Sequence, residues 1–195
     1  MRSAAARSGA AARRGDRICC AAIVLHALLA SLALGAAMTF GDWLWAVLHI
    51  RHTVAAGLLH GALMCLLLGA AIGLRERRVA AGAIAGPLVG VVAAGVFYLL
   101  APSLRLAAMF PAWMFFWICF ALLQAWMRPG RQLAAAIVPG IAAAILSGVA
   151  FYAISGIWTR HDPAGPSYAW NLFAWSFAFF PGFLALFLGS RGARP

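Results

Sequence analysis

Long apolar runs, broken only at their ends by arginine, proline or turn residues, dominate the pattern of this chain. Set against the roughly 20 apolar residues needed to cross a hydrocarbon core, they predict six spans, at 18–40, 53–74, 79–101, 106–127, 133–158 and 168–189. The connections are short, so the expected fold is an all-α polytopic membrane helix bundle in a single domain, 18–190. A basic tail of Ala, Arg, Ser and Gly, 1–17, precedes it and is expected to be disordered. Arginine alternates from connection to connection. The two tails and the 75–78 and 128–131 connections hold twelve, against Arg51, Arg105 and Arg160 on the other side. Basic connections are retained in the cytoplasm, so both termini are expected there.

Composition sharpens this picture. The 195 residues are 65% hydrophobic and 10% charged with a mean hydropathy of +0.93, far from the roughly 25% charge of a soluble domain. All fifteen basic residues are arginine, the usage of a GC-rich genome, and their placement follows topology. The net charge of +11 therefore implies no nucleic-acid partner. The bilayer is the first partner, and a bacterial plasma membrane the expected location. Cys19, Cys20, Cys65 and Cys119 lie in spans or at their edges and read as small packing residues.

Spans three and four resemble five and six. Gly86-Pro87 followed by GVFYLLA parallels Pro139-Gly140 followed by GVAFYAIS, and AWMFFWICFALL parallels AWSFAFFPGFLAL. Three helical hairpins related by an axis along the membrane normal are one reading, and convergent apolar sequence the other. The last four spans hold Pro87, Pro111, Pro139 and Pro181, which predicts kinked helices and an internal cleft. Glycines four residues apart (Gly57 and Gly61; Gly69 and Gly73; Gly82, Gly86 and Gly90) predict close helix contacts.

Polar residues are sparse enough to examine singly. With Asp42 as N-cap and a helix running from Trp43 to Leu74, Asp42, Trp45, His49, His52 and His60 fall on one stripe, within about 60° of His49. Ionisable groups at membrane depth usually face the bundle interior. His49 and His52, with His161 and Asp162 from an outer loop, form a weak candidate metal site. Haem held between His26 and His60 is a further reading, although their expected depths differ by about 8 Å. No acid lies inside a span as drawn, and no nucleophile elbow, phosphate loop or carboxylate pair occurs. No catalytic residues and no cofactor are therefore expected.

What remains is an aromatic-rich interior suited to an apolar guest with one polar end, with His60, Trp113, Trp117, Gln124, Asn171 and Trp175 as candidate ligand-binding residues. Gly140, Tyr152, Gly156, Pro166, Tyr168, Trp175, Phe179, Phe180, Gly182 and Gly189, in that order, give the last two spans a look that resembles the insulin-induced-gene (Insig) family over about a quarter of the chain. The resemblance implies a six-span bundle without catalysis that binds a sterol or diacylglycerol and partners other membrane proteins. The stripe from Asp42 to His60 has no counterpart in it. The function expected is thus a non-enzymatic lipid or apolar-ligand binding module. A haem- or metal-binding protein using the histidines is one alternative. A passive scaffold or assembly subunit, docking a membrane-protein partner or a second copy, is another.

Overall fold

The computed structural model describes residues 2–49, 54–128, 132–158 and 167–189. They form helices α1 (Arg2–Val47), α2 (Val54–Arg75), α3 (Val79–Leu104), α4 (Met109–Met127), α5 (Ala134–Trp158) and α6 (Tyr168–Gly189), with a 3-10 turn, Arg105–Ala108, leading into α4. Each helix contains a stretch long and apolar enough to cross a membrane; in α1 this is Cys20–Val47. The all-helical outcome follows from the solvent: hydrocarbon offers no partner for backbone N–H and C=O groups, so each span must satisfy them within itself. The protein is a membrane-spanning six-helix bundle.

Two expectations need correction. The first span does not stop at Phe40 but runs on in helical register to Val47, so Asp42 is an α1 residue within a span and not the N-cap of α2. Gly41–Val47 is as apolar as the run before it apart from Asp42 itself, and α6 supplies donors to that one acid. The helix closes only where Leu48 N–H bonds Leu44 O (2.9 Å) and His49 takes a left-handed φ of 48°. Pro111 is likewise no kink. It sits in the first turn of α4, where its missing N–H has no helical partner to lose, whereas Pro87, Pro139 and Pro181 lie inside their helices.

Around the bundle, α1 packs on α6, α6 on α5, α5 on α4, α4 on α3 and α3 on α2, while α1 and α2 share far less surface with each other. The closest pairing is α2 with α3. Gly61, Gly69 and Gly73 face Gly90, Gly82 and Arg78, and a methyl added at Gly69, Gly82, Gly86 or Gly90 would overlap backbone of the opposite helix. The predicted four-residue glycine spacing on both helices is what allows this. Between apolar helices in lipid, such close approach supplies the dispersion contact that hydrophobicity cannot.

Large rings fill the centre. Trp175 stacks on Phe179 (5.8 Å), Phe179 on Trp113 (5.5 Å), and the series continues through Phe116 (4.9 Å), Trp117 (5.0 Å), Phe183 (5.8 Å) and Phe187 (5.6 Å). Two of these pairs, Trp113–Phe179 and Trp117–Phe183, tie α4 to α6, at roughly 0.5–1.5 kcal/mol each. Gly182 makes it possible, because any β-carbon there would enter the Trp117 ring.

At the arginine-rich end, α2 closes with paired bonds from Arg78 N–H to Gly73 O (2.7 Å) and from Arg77 N–H to Leu74 O (3.3 Å), with Arg77 at a φ of 57°. That left-handed position suits glycine, so Arg77→Gly is expected to raise unfolding stability by about 1 kcal/mol. An unfolding titration in mild detergent checks it, and a decrease would mean that the Arg77 side chain contributes more than its backbone costs.

Candidate functional site

Two glycines bring the polar residues of the opposite end together. Gly35 lets α1 lie directly against α6, since a β-carbon there would run into Ser176 and the Leu172 carbonyl. Two turns further along α1, Asp42 then meets α6: its Oδ2 accepts Trp175 Nε1–H at 2.9 Å and, at a longer 3.4 Å, Asn171 Nδ2–H. Gly41 presents bare backbone to α2, and the His60 ring lies against it with Cε1 3.5 Å from where a β-carbon would stand. Trp45 also meets that ring edge-on, at 5.6 Å between centroids. Asp42 and His60 are within electrostatic range of each other, and Asp42, His60, Trp45, Asn171 and Trp175 are all half-buried.

The arrangement unites His60, Asn171 and Trp175, three of the six expected ligand-binding residues, around the acid that the drawn spans had left outside. The other three lie elsewhere. Trp113 and Trp117 are core residues inside the aromatic column, Trp117 with 0% exposure, and neither indole N–H has a hydrogen-bond partner among the described residues. Gln124 is at the arginine-rich end, where its Nε2–H donates to Glu76 Oε1 at 2.8 Å. Arg128 also donates to both Glu76 oxygens, from Nη2 to Oε1 at 2.6 Å and from Nε to Oε2. Arg75 lies 4.6 Å above the Phe187 ring, where the aromatic column ends. This clamp, absent from the sequence reading, had a visible signal: one acid inside the run Arg75–Arg78, at the same end as Gln124 and Arg128.

The histidines do not assemble as expected. His26 is exposed on α1 with Nδ1 2.6 Å from its own helix's Ala22 O, and His60 packs at Gly41, fifteen residues or about 22 Å further along α1. They cannot face each other across one haem. His49 lies past the end of α1 and off the helix that carries His60. His52, His161 and Asp162 fall outside the described residues, among which no three His, Cys, Asp or Glu side chains are grouped for a metal ion.

On the flank of the α1–α6 contact lies a groove of about 460 Å³, open along its length and lined by Ala36, Thr39, Phe40, Trp43, Tyr168, Ala169 and Leu172. It is apolar because Thr39 directs its hydroxyl to Gly35 O (2.8 Å) and Phe40 and Trp43 stack at 5.5 Å. Trp43 adjoins Asp42 in sequence and Leu172 adjoins Asn171, so groove and polar cluster share the same ends of α1 and α6. No protein-family model, curated protein or solved structure significantly matches the chain.

Proposed function

We propose that the protein is a non-enzymatic membrane module that holds a lipid or sterol-like amphiphile, its apolar body in the groove between α1 and α6 and its polar end at Asp42, His60 and Asn171. The groove carries this reading. About 460 Å³ falls within the range of small-molecule sites, and from Ala36 to Trp43 it follows α1 for about 10 Å. An apolar wall open to the bilayer suits a guest arriving sideways from the lipid, and Trp43 and Tyr168 belong to the residue types that settle at membrane interfaces. The resemblance of the last two spans to the Insig family points to the same ligand class. The aromatic interior, in contrast, contributes rigidity, with its rings engaged by one another.

Ala36 is exposed and lines the groove, so Ala36→Trp fills the cavity without disturbing the core. Native mass spectrometry of protein released in mild detergent is expected to find a retained lipid on the wild type and about tenfold less on Ala36→Trp. Equal retention by both would remove the groove as the site. A mass shift matching haem or metal would redirect attention to the histidines.

A further inference from the structure

Resting on that amphiphile-binding reading, we infer that Asp42 recognises a positively charged ammonium group as the polar end of the ligand. Asp42 is the one acid within a span among the described residues, Glu76 lying just beyond Arg75. Both hydrogen bonds it accepts end on Oδ2, and Oδ1 accepts none among those residues. The Arg128–Glu76 ion pair belongs to the opposite end of the bundle, and no described cation is paired with Asp42. Its titratable neighbour is His60.

Neutral donors orient a carboxylate but do not balance its charge, and a half-buried charge at membrane depth gains most from a partner of opposite sign. An ammonium donates to Oδ1 and neutralises it in one contact. A hydroxyl donates a hydrogen bond but brings no charge to balance the carboxylate, and a carboxylate or phosphate is repelled. His60 is held against Gly41 and Trp45, and Trp175 and Asn171 donate from the α6 side to Oδ2, which leaves Oδ1 as the oxygen to which no described group donates. Trp45, one turn beyond Asp42, offers an aromatic surface of the kind that tolerates organic cations.

Three probes with one chain separate headgroup from chain: hexadecylamine, hexadecanol and hexadecanoic acid, each titrated onto the purified full-length protein in a neutral maltoside detergent and read by native mass spectrometry. The wild type is expected to bind the amine about tenfold more tightly than the alcohol, with the acid weakest. Asp42→Asn is expected to abolish the preference of the amine over the alcohol. Equal binding of amine and alcohol by the wild type overturns the ammonium assignment, as does a preference that survives in Asp42→Asn, while the groove reading stands. If none of the three binds, or if Ala36→Trp leaves all three unaffected, the groove reading fails and this inference with it. The wild-type comparison needs no variant, so a poorly folding Asp42→Asn does not block the test.

Discussion

Leucine in place of Gly82 is expected to destabilise the bundle by about 3 kcal/mol, the upper end of typical overpacking costs. The position has no room to yield, because the atoms a β-carbon would meet are the carbonyl of Gly69 and the Cα of Gly73, and backbone cannot rotate away as a side chain can. Admitting the side chain means prising α2 from α3 along the whole glycine seam, forfeiting the contacts at Gly61, Gly69, Gly86 and Gly90 together. Gly95 on the same helix is the internal control. Among the described residues no atom lies within 4 Å of a β-carbon there, so Gly95→Leu is expected to match the wild type or exceed it slightly. Unfolding followed by tryptophan fluorescence in mild detergent checks the pair. Equal stability of the two variants would mean that the seam is not a tight contact.

Loss of the Glu76 carboxylate is the second large effect. Glu76→Ala leaves the Arg128 guanidinium without its carboxylate and the buried Gln124 amide without its acceptor, where Glu76 is 5% and Arg128 27% exposed. Removing one member of a buried ion pair costs 3–5 kcal/mol, and the partial exposure of Arg128 sets the expectation near the lower limit, about 3 kcal/mol. Replacing the partners as well, in Glu76→Ala/Gln124→Leu/Arg128→Ala, is expected to recover more than half of the loss, because the penalty comes from groups left unpaired. A triple variant no more stable than Glu76→Ala would show that the cost does not come from the unpaired Gln124 and Arg128 groups.

The groups in these two predictions differ in how visible they are before folding. Gly82, Gly86 and Gly90 announce a close-packed face by spacing alone, since residues four apart recur on one side of any helix. Their partners on α2 carry the same spacing, and only the pairing of α2 with α3 had to be supplied. Glu76 and Arg128 are far apart in sequence and meet because α2 and α4 end on the same side, as the alternation of arginines requires. Trp113 and Trp117 were recognisable as interior residues but not as core residues, since an aromatic run looks the same whether it lines a cavity or fills one.

The chain by itself determined that it spans the membrane six times, and nearly where, because the transfer of apolar side chains and the need to satisfy backbone groups in hydrocarbon depend only on composition along the chain. It also determined which faces are smooth enough for helices to touch. Tertiary structure alone decided that Asp42 belongs to α1 and not to α2, and that α1 packs chiefly on α6. Whether one polar residue interrupts a span or is carried inside it turns on the donors waiting on another helix. Trp175 and Asn171, more than a hundred residues away, supply them, and no local pattern records that pairing.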